Sequence, residues 1–73
     1  MARMELDVHA IAALEHATKL DETVASGFYN LGSLYARNDN LSGAKEAFET
    51  TVELDSRHAK ARRKLIELSL IHI

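Results

Sequence analysis

The sequence resembles itself after a shift of 34 residues. The aligned pairs are Ala10 with Ala44, Leu14 with Phe48, Ala17 with Thr51, Leu20-Asp21 with Leu54-Asp55, Ala25 with Ala59, Gly27 with Ala61, and Leu31 with Leu65. A fixed period of this length is typical of small structural units that bury their apolar faces only against their neighbours. The chain is therefore predicted to fold as one domain of stacked, similar units.

Composition indicates that these units are helical. The chain has no proline, and its commonest residues are Ala, Leu and Glu, which lose little free energy on entering a helix. Apolar residues spaced by three and four predict four amphipathic helices. Their predicted inner faces comprise, in chain order, Leu6, Ala10, Ala13, Leu14 and Ala17; Phe28, Leu31, Leu34 and Tyr35; Ala44, Ala47, Phe48, Thr51 and Val52; and Ala61, Leu65 and Leu68.

Short polar segments separate the predicted helices. Residues 21–23 suit a turn and a new helix start, and residues 38–40 suit a left-handed backbone and helix caps. Asp55 and Ser56 end the third helix, and Ser56 is expected to cap the fourth. Connections this short join antiparallel neighbours. The predicted fold is thus all-α, a stack of antiparallel helical hairpins.

Residues 28–35, Phe-Tyr-Asn-Leu-Gly-Ser-Leu-Tyr, resemble the first-helix signature of the tetratricopeptide repeat, an aromatic residue followed by x-x-Leu-Gly-x-x-Tyr. The 34-residue period is also that of this family. Ala44, Phe48 and residues 53–55 resemble its second helix. Thr51, Ser56 and Asp39 depart from the family pattern, which prefers Ala, Pro and Gly at these positions. The resemblance implies a short right-handed α-solenoid with a half repeat at 4–20, a full repeat at 25–58 and a terminal helix at 59–73.

The resemblance also implies a function, that of a non-enzymatic scaffold for protein–protein interaction. In this family the first helix of each repeat lines a concave groove. Here the predicted groove residues are Tyr29, Asn30, Ser33, Arg37, Lys60, Arg63, Lys64 and Glu67. Asn30, Lys60 and Lys64 resemble the carboxylate clamp of co-chaperone adaptors, where such groups hold a peptide C-terminus by charge-assisted hydrogen bonds. The simpler interpretation of the same basic residues is a solvated helix face.

Both ends of the predicted stack carry apolar residues off the inner face. Ile66, Leu70 and Ile73 form a stripe on the last helix, and Met4, Val8 and Ile11 lie on the first. Exposed apolar stripes often mark interfaces, so a homodimeric contact through the end helices is predicted. A segment of a longer repeat array would expose the same residues. The alternative function is a structural, self-assembling bundle with an empty groove.

Other classes of function have weaker support. The chain has no cysteine, no glycine-rich phosphate loop and no plausible catalytic triad. His9 and His16 lack the spacing of a zinc site. A formal net charge of -2 gives no general attraction to nucleic acid or anionic membranes. We therefore expect a cytoplasmic protein with no cofactor, no bound metal and no enzymatic activity.

Overall fold

The computed structural model describes the backbone of residues 2–71 and the side chains of residues 8–70. Within this range the chain forms four helices and no strand, as predicted: α1 (Ala2–Leu20), α2 (Ala25–Arg37), α3 (Leu41–Leu54) and α4 (Ala59–Ile71). Each of the three connections is short, so successive helices pack as neighbours.

The period of the sequence reappears in the boundaries of the helices. The ends of α1 and α3 are 34 residues apart, at Leu20 and Leu54, and so are the starts of α2 and α4, at Ala25 and Ala59. α2 and α4 also have the same length, 13 residues each. Therefore α1 and α3 are equivalent helices, and so are α2 and α4.

The turns that precede α2 and α4 share one hydrogen bond. The Asp21 Oδ1 accepts the Thr23 backbone N–H at 3.0 Å, and the Asp55 Oδ1 accepts the Arg57 backbone N–H at 3.1 Å. The Thr23 hydroxyl also donates to Asp21, and these two hydrogen bonds lower the pKa of the Asp21 carboxyl. In each turn the aspartate side chain accepts a hydrogen bond from the backbone two residues ahead. This turn explains why α1 and α3 end at the residue before the aspartate.

The connection between α2 and α3 is a Schellman motif. The Asn40 N–H donates to the Tyr35 carbonyl at 2.9 Å, and the Asp39 N–H donates to the Ala36 carbonyl at 3.2 Å. Asp39 has a φ of 61°, the left-handed conformation that this motif requires. The Asn40 side chain then accepts the Gly43 N–H at 3.0 Å and caps α3. The predicted turn and cap are both present.

The predicted cap of α4 is wrong by two residues. α4 begins at Ala59, and the Ala61 N–H donates to the Nδ1 of His58 at 3.2 Å. Ser56 instead lies inside the Asp55 turn, where the His58 N–H bonds the Asp55 carbonyl at 3.1 Å. Because that turn continues to His58, the first free helical N–H groups lie beyond the reach of Ser56.

α3 is the central helix of the core, since it packs on both α2 and α4. Its inner residues Ala44, Ala47, Phe48 and Thr51 are all buried, as predicted from their spacing. The Thr51 hydroxyl donates to the Ala47 carbonyl at 2.8 Å, so this buried polar group is satisfied within its own helix. Ala61 and Leu68 of α4 close the core from the other side.

A glycine in α2 sets the distance between α2 and α3. A Cβ atom placed on Gly32 would lie 2.8 and 2.9 Å from the Cε1 and Cδ1 atoms of Phe48, well inside van der Waals contact. The ring of Phe48 is 1% exposed and lies 5.7 Å from that of Tyr29, measured between centroids. The lack of a side chain at Gly32 therefore allows α2 and α3 to approach closely, and Phe48 fills the contact.

The predicted inner face of α1 is partly wrong. Ala10 and Leu14 are half-buried, but Ala13 and Ala17 are exposed, and Thr18 is buried instead. Leu6 lies outside the described side chains. Spacing alone treated α1 like α3, but α1 packs mainly on α2, whereas α3 is covered from two sides. A helix with one packing partner, such as α1, buries a narrower stripe of residues than a helix with two.

Candidate interaction cleft

A cleft runs between α2 and α4, above the core. Its floor is apolar and consists of Ala36 from α2, Phe48 and Leu41 from α3, and Leu68 from α4. Two adjoining hollows of about 310 and 380 Å³ share Ala36, Phe48 and Lys64. These volumes lie at the small end of the range for ligand sites, so the cleft suits a few side chains of a bound segment.

Charged side chains of both signs line the rim of this cleft. Arg37 and Lys64 lie along one part, and Asp39 and Glu67 along another. The Lys64 Nζ is 3.9 Å from the Glu67 Oε2, with both side chains about half exposed. A solvated pair of this kind contributes little to stability, roughly 0–1 kcal/mol, so Lys64 can exchange Glu67 for another carboxylate at small cost.

Half of the predicted groove residues converge on this cleft. They are Ser33, Arg37, Lys64 and Glu67. The Ser33 hydroxyl donates to the Tyr29 carbonyl at 3.1 Å, which leaves its oxygen available as an acceptor. These four residues come from α2 and α4.

The other predicted groove residues lie elsewhere. Asn30, Lys60 and Arg63 are exposed, and none of them lines the cleft. Tyr29 is half-buried, with its ring 4.8 Å from that of His58 and 5.7 Å from that of Phe48. Of the three residues that resemble a carboxylate clamp, only Lys64 lines the cleft.

The floor of the cleft was missed by sequence reasoning about function. The spacing predicts Phe48 and Leu68 as core residues and makes no prediction for Ala36 and Leu41, because apolar side chains carry no chemical signature of a site. The available signal was the helical spacing. Ala36 follows Ser33 by three residues, and Leu68 follows Lys64 by four, so each shares a helix face with a predicted groove residue.

A second groove follows the seam between α2 and α3. Phe28, Leu31, Tyr35 and Ala47 form its apolar wall, and Ser42, Glu46 and Thr50 form its polar edge. The Tyr35 hydroxyl donates to the Glu15 carboxylate of α1. Burial, followed by this hydrogen bond and by the charge of Glu15, raises the pKa of Tyr35 to about 12. Among the residues whose side chains the structure describes, no basic group lines this groove, so it offers less charge contrast than the α2–α4 cleft.

The predicted self-association stripe is exposed where it is described. Ile66 and Leu70 on α4 are 64% and 65% exposed, and Ile73 lies outside the described residues. At the other end Val8 is 59% exposed and Ile11 is half-buried. The side chain of Met4 also lies outside the described residues.

The described residues include neither a cluster of metal-ligand side chains nor a membrane-spanning helix. No group of three or more His, Asp or Glu side chains is placed to hold a metal ion. None of the helices in the described range is long and apolar enough to cross a membrane.

Comparison with protein families confirms the resemblance found in the sequence. The family model described as tetratricopeptide repeat matches residues 25–58. This segment contains α2 and α3, together with the turn that leads into α4. Residues 25–58 are therefore similar to a tetratricopeptide repeat, and this similarity supports a general role in protein–protein interaction. A search of curated proteins found no match to the chain.

Proposed function

We propose that this protein binds an extended segment of a partner protein in the cleft between α2 and α4. The observation that supports this function is the apolar floor around Phe48, with cationic and anionic side chains on the rim above it. An apolar side chain of the partner would lie on the floor, and the rim charges would fix the direction of the segment.

The rim favours a partner with acidic residues beside its apolar anchor. Lys64 lines both hollows of the cleft, and Arg37 lines one of them. Cationic side chains form charge-assisted hydrogen bonds with carboxylates, and these are stronger than bonds between neutral groups. Asp39 and Glu67, near the other end, would repel a segment that is acidic throughout. The expected ligand is a short segment with one leucine-like residue and acidic neighbours on one side.

Three labelled peptides test this function. Each has a central leucine, flanked by glutamates, by lysines or by uncharged residues, and binding is measured by fluorescence anisotropy. The glutamate peptide should bind best, and its affinity should fall with rising salt because solvated charges are screened. Equal affinity for all three peptides would contradict the role of the rim.

Charge-reversal variants locate the site. Lys64→Glu should weaken binding of the glutamate peptide by about tenfold or more, in line with the cost of placing like charges together. Lys45→Glu on α3 and Lys60→Glu on α4 make the same change of net charge at exposed positions outside the cleft. Both controls should bind like the wild type. A large loss with Lys60→Glu would instead support the carboxylate clamp.

A structural role with an empty cleft is the second candidate function, and the exposed side chains of Ile66 and Leu70 favour it. It predicts that Lys64→Glu leaves function and oligomeric state unchanged. Measuring peptide binding and molecular mass on the same variant separates the two functions.

A further inference from the structure

The two end helices each present an apolar surface to solvent. On α4 these are Ile66 and Leu70, both about two-thirds exposed. On α1 they are Ala13 and Ala17, both exposed and one turn apart on the same face. Apolar residues grouped on one helix face favour a partner over water. The equivalence of helices in the 34-residue repeat indicates which surface that partner has.

The 34-residue register pairs these two surfaces with each other. α4 is equivalent to α2, and α1 is equivalent to α3, because their boundaries match after the shift. Within the chain, α2 packs tightly on α3. In the described part of the chain, no helix follows α4 in the place that α3 has after α2, and no helix precedes α1 in the place that α2 has before α3.

We propose that a second copy of this chain covers these surfaces, with α4 of one copy packing on α1 of the next as α2 packs on α3. This assembly would supply each end helix with the neighbour that its equivalent has inside the chain. The proposal concerns a different surface from the α2–α4 cleft and does not depend on the proposed function.

The sizes of the side chains support this pairing. In the hairpin, small residues of α2 face a large residue of α3: Gly32 contacts Phe48, and Ala36 lies beside it. The equivalent positions in α4 hold large residues, Ile66 and Leu70, and the position equivalent to Phe48 holds the smaller Leu14. In the proposed contact the larger side chains belong to α4 and the smaller ones to α1, the reverse of the α2–α3 contact. The total side-chain volume is therefore similar, and the contact remains filled.

The pattern on α1 fits in the same way. Ala13 and Ala17 of α1 are exposed, whereas the equivalent residues of α3, Ala47 and Thr51, are buried. Small side chains at these positions permit a close approach of the larger residues of α4. The exposure of Ala13 and Ala17, which contradicted the sequence-based prediction, is explained if their natural neighbour is a second chain.

Charge also favours contact between these two helices. The ionisable residues of α4 are Lys60, Arg62, Arg63, Lys64 and Glu67, a net charge of +3, and those of α1 other than histidine are Arg3, Glu5, Asp7, Glu15 and Lys19, a net charge of -1. Opposite signs increase the rate of association and disfavour the contact of α4 with another α4. A head-to-tail contact is thus preferred over a symmetric one.

The geometry of the contact determines the type of assembly. A head-to-tail interface uses two different surfaces and leaves one of each free at the ends. Copies therefore add one after another, and the mean mass rises continuously with concentration. A symmetric contact through α4 would stop at a dimer.

Sedimentation equilibrium from micromolar to millimolar concentration tests the proposal. The wild-type mass should rise beyond that of a dimer. Ile66→Glu and Ala13→Glu should each lower the association constant by about tenfold or more, because each buries a charge in an apolar contact. Both positions are exposed, so the helix content measured by circular dichroism should be unchanged.

A mixture of the two variants gives the sharper result. The Ile66→Glu chain keeps an intact α1 surface, and the Ala13→Glu chain keeps an intact α4 surface. Together they should form a one-to-one complex that grows no further. Leu20→Glu, which changes a 75% exposed apolar side chain at the end of α1, serves as the control and should assemble like the wild type.

Three results would overturn the proposal. The first is a wild-type monomer at every concentration. The second is a dimer formed by Ala13→Glu alone, which would show a symmetric contact through α4. The third is a mixture of the two variants that remains monomeric although both are folded.

Discussion

Replacing Gly32 with alanine tests whether the approach of α2 to α3 is set by the ring of Phe48. The new Cβ atom would lie 2.8, 2.9 and 3.1 Å from the Cε1, Cδ1 and Cζ atoms of that ring. Ordinary carbon–carbon contacts are about 3.5–4.0 Å. The ring would have to move by roughly half an ångström or more, but it is 1% exposed and surrounded by other core residues.

Two opposing effects decide the size of the change. Alanine is about 1 kcal/mol more favourable than glycine in the interior of a helix. Overpacking a filled core costs about 1–3 kcal/mol. Because Phe48 cannot move into solvent, we expect the second effect to exceed the first. Gly32→Ala should therefore lower the free energy of unfolding by about 1 kcal/mol, or the melting temperature by roughly 4–8 °C for a domain of this size.

A double-mutant cycle separates the two effects. Phe48→Leu removes ring atoms from the contact, so adding Gly32→Ala to that variant should be neutral or stabilising, with a coupling energy of about 1–3 kcal/mol. Urea denaturation followed by circular dichroism measures all four proteins. Gly27→Ala in the same helix is the control, since its nearest neighbour is the Thr18 Cγ2 at 3.2 Å. If Gly32→Ala has the same effect with Phe48 and with Leu at position 48, the reasoning is refuted.

Three further predictions concern the turn and the tyrosine. Asp39→Gly should raise the free energy of unfolding by about 0.5–1 kcal/mol, because Asp39 has a φ of 61° that glycine adopts without strain; an unchanged urea midpoint would contradict this. Asn40→Ala should lower it by about 1 kcal/mol through loss of the bond to the Gly43 N–H, whereas Asn40→Ser should retain most of the stability. Phenolate absorbance should show one tyrosine, Tyr35, with a pKa of about 12, and Tyr35→Phe should remove it. Folding raises the pKa of Tyr35 from 10.0 to about 12. The contribution of the protonated tyrosine to the free energy of unfolding is therefore complete below pH 10.0 and is lost as the pH rises towards 12. Glu15→Gln should lower the pKa of Tyr35 but not restore the ordinary value, because burial is the larger cause.

Much of the central hairpin was predictable from the sequence, because its information is local. The spacing of Ala44, Ala47, Phe48 and Thr51 defines a helix face without reference to any other element. The Asn-Asp-Asn segment at 38–40 contains the residues that tolerate a left-handed backbone and cap a helix. Helical propensity and turn chemistry depend on a few neighbouring residues, and those neighbours are adjacent in the sequence.

The candidate cleft was only half predictable. The family resemblance implied Ser33, Arg37, Lys64 and Glu67 as groove residues, and these four line one cleft. It could not exclude Asn30, Lys60 and Arg63, because a helix face is wider than the line along which two helices meet. The apolar floor depends on the distance between α2 and α4, which no single helix encodes.

The helices, their 34-residue period and the turn between α2 and α3 were predictable from the sequence alone, since each follows from short-range patterns. Which apolar faces are covered depends instead on how the helices pack together. Ala13 and Ala47 occupy equivalent positions, yet Ala13 is exposed and Ala47 is buried. His58 likewise caps α4 where Ser56 was expected, because the preceding turn extends two residues further. Burial is a property of a residue and its neighbours in space, and equivalent residues at the centre and at the end of a stack have different neighbours.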